Sequence, residues 1–227
     1  MNIIIGAREC ERILDRNAPF FGCIEQKGKR LRREIGQTLA KTLESEDTVS
    51  MATQPVFDPP VSVEQYLSTV FEHDCEYADG VIEERELGEF EHAFLQGILT
   101  AIFSNHRAEW GIVCLPEQRV QTQHNHFRVP DLTILRAGLH RERILTRPPL
   151  LVIEIQSPED TLRRTAAKTA EYLAFGIEHV WVVDPNARVA YRGMADGLEL
   201  ARSGELAIPE TPIRIVLDDL FAELDRV

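Results

Sequence analysis

Leu150-Leu151-Val152-Ile153-Glu154-Ile155-Gln156-Ser157-Pro158 reads as an apolar strand that ends on two polar side chains. It is apolar on both faces up to Glu154, which predicts a central strand covered on both sides. Immediately downstream, Ser157-Pro158-Glu159-Asp160 predicts a helix start: a cap, a proline at the first helical position and acids in the first turn. That helix is expected to reach Phe175 and to stop at Gly176. Val180-Trp181-Val182-Val183, closed by Asp184-Pro185, reads as the next core strand. Upstream, two strands are expected near 112–121 and 127–135, joined by a turn at His124-Asn125-His126.

The outer parts follow the same logic. Ser62 is a plausible N-cap for a short helix that includes Tyr66. Residues 75–83 predict a hairpin turning at Asp79-Gly80. A helix is expected from 89 to 105, with Phe90, Phe94, Ile98 and Ile102 as its apolar face. Segments 189–192 and 198–202 predict a hairpin, and 217–224 a terminal helix.

Residues 1–50 differ from the rest. They carry 9 basic and 8 acidic side chains, including the cluster Lys27, Lys29, Arg30, Arg32 and Arg33. Leu31, Ile35, Leu39 and Leu43 recur at helical spacing, 44–47 reads as a polar linker, and Met51 resembles a second start. The division expected is an N-terminal extension and linker over 1–55 and a folded domain over 56–227. A solvated extension or a basic arm that touches DNA both fit the charge run.

The formal net charge is −12, which argues against a protein that coats nucleic acid without specificity. No apolar run reaches the roughly 18 residues of a membrane span. The start of the chain is too short and too uncharged for a signal segment, so a cytoplasmic protein is expected. The four cysteines form no CxxC pair, which points away from a zinc or redox motif.

The chemistry gathers at strand ends. Asp131 follows Pro130, Glu154 lies 23 positions later, and Lys168 a further 14 on. Lys168 is the only lysine after Lys41; the other 15 basic residues of 51–227 are arginines. Side chains alternate along a strand, so Glu154 and Gln156 share one face and Ile153 and Ile155 the other. If the two strands are neighbours, Asp131 and Glu154 converge. Paired buried carboxylates repel, and a divalent cation removes that cost. Oxygen-only ligands suit Mg²⁺ or Mn²⁺. Lys168 would then orient the attacking water or stabilise developing charge. A turn aspartate, a capped glutamate and a solvated lysine are the structural readings of the same residues.

Arg128-Val129-Pro130-Asp131, Leu151-Val152-Ile153-Glu154-Ile155-Gln156-Ser157-Pro158, Lys168, Tyr172 and Gly176 through Pro185 together resemble the Uma2 family (DUF820) of the PD-(D/E)XK nuclease superfamily. Tyr77, Asp79-Gly80, His92 and Leu217 through Phe221 add to the likeness, which spans about 60–224. The resemblance implies an α/β fold with a restriction-endonuclease-like αβββαβ core, a mixed sheet flanked by helices, and hairpins toward both ends. It implies a Mg²⁺- or Mn²⁺-dependent DNA endonuclease. Asp131 and Glu154 would be metal ligands, and the backbone carbonyl of Gln156 a further ligand. Gln156 replaces the lysine of the superfamily triplet, and Lys168 resembles the relocated lysine of this family. His92 matches a position facing the site, with a core histidine and a catalytic role both open. Glu83 and Glu91 are candidates for a second metal. Arg141, Arg143, Arg147, Arg163 and Arg164 either line a phosphate path or pair with surface acids. Tyr172 and Trp181 are expected in the core. A homodimer is implied by resemblance alone. An inactive nuclease-fold module with a binding or regulatory role is the alternative, and hydrolysis of RNA or a nucleotide is a third reading.

Overall fold

Leu132, Thr133 and Ile134 pair antiparallel with Ile153, Val152 and Leu151, and this ladder fixes where the two expected acids lie. It belongs to a computed structural model that describes residues 60–226 except 72, 86–88 and 139–140. The expected helix at 31–43, the basic cluster, the linker at 44–47, and Cys10 and Cys23 fall outside those residues. The described residues belong to one unit, Phe57–Val227.

The element order begins with α1 (Val63–Ser68), β1 (Cys75–Ala78), β2 (Val81–Glu84), α2 (Phe90–Asn105) and α3 (Arg107–Trp110). It continues through β3 (Ile112–Pro116), β4 (Val120–Gln123), β5 (His126–Arg128), β6 (Leu132–Arg136), β7 (Leu151–Ile155) and α4 (Leu162–Phe175). It ends with β8 (His179–Asp184), β9 (Val189–Met194), β10 (Gly197–Leu200), β11 (Glu205–Ala207), β12 (Arg214–Val216) and α5 (Leu217–Leu224).

The main sheet has six strands in the order β10-β9-β8-β7-β6-β3. It is mixed: β7 and β8 run parallel, joined through α4, and the other pairs are antiparallel. β7 is central, as its apolar run requires. Ile153 and Ile155 pack with Leu95, Leu99 and Phe103 of α2 and with Leu220 and Phe221 of α5. Val152 points the other way, onto Tyr172 of α4. The face carrying Val152 and Glu154 is therefore the α4 face, and the expected alternation holds.

A second sheet, β2-β1-β5-β4, packs with α1 through Tyr66, Cys75, Tyr77 and Phe127. Ser62 caps α1 in a reciprocal box with Gln65, as expected. The β1–β2 hairpin turns at Asp79 (φ 50°) and Gly80 (φ 89°), the left-handed pair of a tight two-residue turn. A side chain at Gly80 would also meet Pro60 Cβ at 2.4 Å, so glycine is needed there twice over.

Four expectations change. The strand expected at 112–121 is two strands, because the chain breaks at Glu117 (φ 52°) and changes sheet. The strand expected at 127–135 likewise splits at Val129-Pro130 into β5 and β6, since proline cannot donate to a ladder. The helix after β7 starts four residues later than Ser157-Pro158 suggests. Thr161 is its N-cap, while the Asp160 carboxylate accepts from the Ser157 amide at 2.9 Å and closes a separate turn. On α2 the buried face is Leu95, Leu99 and Phe103, while Phe90 is 62% exposed. The β11–β12 hairpin had no counterpart in the sequence reading. The ends of α4 and α5, the Gly176 stop (φ 104°) and the β9–β10 hairpin stand where expected.

Candidate active site

One step past the Leu132–Ile153 pair, Asp131 and Glu154 are the next facing positions of the two strands. Facing residues of an antiparallel pair project to one side with Cβ atoms about 5 Å apart. Register thus brings the two acids together across 23 residues of chain. Both line a cavity of about 320 Å³ with Glu76, Arg85, His92, Gln156 and Lys168. It opens between the four-stranded sheet, the ends of β6 and β7, and α4.

Asp131 is 2% exposed and anchored on both oxygens. Oδ2 accepts from the Ile155 amide at 2.7 Å. Oδ1 receives Arg85 Nη2 at 2.5 Å and His92 Nε2 at 3.3 Å. Burial alone would raise its pKa, but the His92 bond, Arg85 and the Ile155 amide hold it below the ordinary carboxylate value. His92 shifts up in return: burial works against its charge, and the bond to Asp131 outweighs it. The Ser157 hydroxyl lies 3.3 Å from His92 Nδ1, so the ring is held from both sides.

Glu154 behaves oppositely. Its Oε1 accepts from the Tyr172 hydroxyl at 2.6 Å and lies 3.2 Å from Lys168 Nζ. Burial, with Asp131 and Glu76 as negative neighbours, nonetheless pushes its pKa up to about 7 against the pull of Lys168. Asp131 and Glu154 are thus a carboxylate pair whose proton affinities are driven apart.

Lys168 lies on α4 two turns beyond its N-cap and reaches inward. Its ammonium is 2.7 Å from Glu76 Oε1, closer than to Glu154. Burial disfavours its charge, but Glu154 and Glu76 raise its pKa above the ordinary value. Gln156 is buried, and its side-chain amide donates to Thr165 Oγ1 of α4 at 2.5 Å. That bond ties the end of β7 to the first turn of the helix.

The site also contains residues the sequence reading passed over. Glu76 is 5% exposed, accepts from the Val129 amide at 3.0 Å, and meets Arg128 at 3.0 Å. Arg128 also pairs with Glu171 at 2.6 Å. In a hairpin whose Cys75 and Tyr77 face a core, Glu76 reads as solvent-facing; α4 covers that side and buries it. Arg85 follows β2 directly and carries no motif. Of the five arginines proposed for a phosphate path, Arg164 lines the cavity and lies 3.4 Å from Glu83, whereas Arg147 pairs with Glu142 at 2.5 Å. Glu83 lines the cavity as well, while Glu91 is solvent-exposed on α2. Tyr172 and Trp181 are both core, and Tyr172 also serves Glu154.

Among the described residues, no three His, Cys, Asp or Glu side chains form a metal-binding cluster. The donors that fit a hard divalent cation are the two carboxylates, with water completing the shell. Burial first, and then the negative neighbours Asp131 and Glu76, raise the pKa of Glu154, a cost that such a cation would offset. Among the described residues, no helix is long and apolar enough to cross a membrane.

Comparison with known proteins agrees with this architecture. A crystal structure of a "putative nuclease belonging to DUF820" from Anabaena variabilis matches with a TM-score of 0.64 and 21% identity, over 73% of this chain and 99% of that one. A DrdV–DNA complex matches at a TM-score of 0.34 and 15% identity, over 59% of this chain and 11% of that one. No curated protein matches. The sequence model of the Uma2 family, described as "Putative restriction endonuclease", matches residues 63–195, more than half of the chain. The fold that the resemblance implied is the fold of that DUF820 protein, and the chain belongs to the Uma2 family.

Proposed function

We propose that the protein is a Mg²⁺- or Mn²⁺-dependent endonuclease that hydrolyses phosphodiester bonds in DNA. The observation that carries this reading is the convergence of Asp131, Glu154 and Lys168 on one cavity, with the ammonium 3.2 Å from Glu154. Asp131, Glu154 and the Gln156 carbonyl would hold the metal, which supplies Lewis acidity toward the scissile phosphate. Lys168 stabilises the charge that develops there and orients the attacking water. Its compact ammonium lies between Glu76 and Glu154 as a point charge, at 2.7 and 3.2 Å. Tyr172 fixes the Glu154 rotamer, and His92 fixes that of Asp131. The Gln156 side chain, tied to Thr165, joins the strand end to α4.

DNA as the substrate rests on the family's description as a restriction endonuclease. Exposed Arg164 at the cavity lip offers a phosphate contact on an otherwise acidic body. The inactive-module reading draws on the internal pairing of the charges, since Asp131 already has Arg85 and Glu76 already has Lys168.

Incubation of purified protein with supercoiled plasmid, with and without Mn²⁺, separates the two. Metal-dependent nicking that disappears in Asp131→Asn, with an unchanged circular dichroism spectrum, supports the nuclease. Full metal-dependent cutting by that variant overturns the site assignment.

A further inference from the structure

Asp131 has one oxygen that cannot be spared and one that can. Oδ2 is fixed by the Ile155 amide at the end of β7, and losing that bond would leave a buried backbone donor unpaired. Among the described residues, Oδ1 is held only by side chains, Arg85 at 2.5 Å and His92 at 3.3 Å. A divalent cation bound through Asp131 would use Oδ1, at a ligand distance of about 2.1 Å. A guanidinium held 2.5 Å from Oδ1 repels a dication on the same oxygen, and arginine stays charged at any working pH. His92 stands farther off, at 3.3 Å. A metal on Oδ1 therefore favours release of Arg85.

We propose that Arg85 is a switching phosphate ligand: it neutralises Asp131 until a metal claims Oδ1, then swings to the substrate phosphate. This rests on the reading of Asp131 as a metal ligand. The pivot is in place, because the Arg85 amide donates to the Asp74 carbonyl at 3.1 Å and anchors the backbone beside β2. The side chain is 19% exposed and lies in the same cavity as Glu154. Its second contact, Glu117 at 3.5 Å, is half exposed and weak. Most neighbouring carboxylates are engaged elsewhere: Glu76 by Lys168 and Arg128, Glu154 by Lys168, Glu171 by Arg128, Glu83 by Arg164, while Glu84 lines the cavity beside Arg85. A guanidinium displaced from Asp131 keeps only exposed carboxylates, Glu117 and Glu84, as neighbours, and its planar fork suits an arriving phosphate better than either. Metal and nucleic acid then favour each other's binding, and by linkage the effect is reciprocal.

The test is calorimetric titration of the whole chain with Mn²⁺ alone, for wild type, Arg85→Gln, Arg85→Lys and Asp131→Asn, paired with the KM for plasmid nicking. Arg85→Gln removes the competitor, so its Mn²⁺ affinity should rise about tenfold while KM for DNA rises as well. Arg85→Lys keeps the competing charge and should stay within about twofold of wild type. Arg85→Met is a second neutral variant with the same expectation as Arg85→Gln. Unchanged or weaker Mn²⁺ binding in the neutral variants, beside an Asp131-dependent site in wild type, overturns the switch and spares the nuclease reading. Tightening in Arg85→Lys equal to that in Arg85→Gln also overturns it. A wild type with no Asp131-dependent Mn²⁺ site brings down both.

Discussion

The Tyr172 hydroxyl donates to Glu154 Oε1 at 2.6 Å, from a side chain with no solvent exposure. The helix that delivers Lys168 to this acid therefore also delivers a neutral donor, one turn further on. Tyr172→Phe keeps the ring and deletes the donor to a carboxyl whose pKa is raised to about 7. It should cost about 0.5–3 kcal/mol of stability. Urea unfolding of the two proteins at neutral pH checks this, and equal midpoints would show that the bond contributes nothing.

Lys168 joins two acids from different sheets, Glu76 of β1 and Glu154 of β7. Lys168→Met should lower the nicking rate about 100-fold, as loss of a charge-stabilising group does elsewhere. The Mn²⁺ site should survive, because the carboxylates remain. Lys168→Arg should not restore the rate, since a fork-shaped cation cannot take the place of a point charge in that gap. A wild-type rate in Lys168→Met would remove Lys168 from the chemistry, and one in Lys168→Arg would show that any cation suffices there.

Acid should weaken the fold through Glu76 in particular. Burial alone would raise its pKa, but Lys168 and Arg128 bring it from 4.5 down to about 2. The unfolded chain therefore takes up the proton first as pH drops. The contribution is complete above about pH 4.5, is lost as pH falls toward 2, and amounts to about 3 kcal/mol. Glu171, lowered by its bonds to Arg128 and Thr122 against the cost of burial, acts in the same direction. Denaturant titrations of wild type and Glu76→Gln at several pH values test this. The stability gap should be widest at pH 7 and shrink below pH 4. A gap that does not change with pH would place the Glu76 effect in packing rather than charge.

Local signals in the chain carried most of the fold. The run at 150–156 is a buried strand because nothing in it tolerates water, and Gly176 ends α4 because its φ of 104° suits no other residue as well. Asp131 and Glu154 were legible because period-two alternation, carried through an antiparallel ladder, leaves them facing each other. What stayed hidden depends on which surfaces meet. Glu76 is buried by α4, which arrives some ninety residues later in the chain, and Arg85 reaches Asp131 across 46 residues. The helix start was misplaced because Ser157-Pro158 carries helix-start chemistry while Asp160 uses it to close a turn, leaving Thr161 to cap α4. Of the apolar face expected on α2, Ile98 and Ile102 pack at the edge of the core, while Phe90 is exposed and stacks on Phe94.

Gly193 offers a check on the packing that carries α4. A Cβ there would lie 2.3 Å from Thr169 Cγ2 on α4 and 2.9 Å from Val180 Cβ on β8. Gly193→Ala should therefore cost about 1–3 kcal/mol through forced displacement of the helix. Because α4 holds Lys168 and Tyr172, nicking should fall with it. Thermal unfolding at the wild-type temperature would contradict the close approach of α4 to β9.

The most direct measurement is a Mn²⁺ titration of wild type beside Glu154→Gln, both confirmed folded by circular dichroism. One site in wild type that vanishes in the variant, together with loss of metal-dependent plasmid nicking, is the predicted result. Equal Mn²⁺ binding by the two proteins, or none by either, would contradict a metal centre built on Asp131 and Glu154.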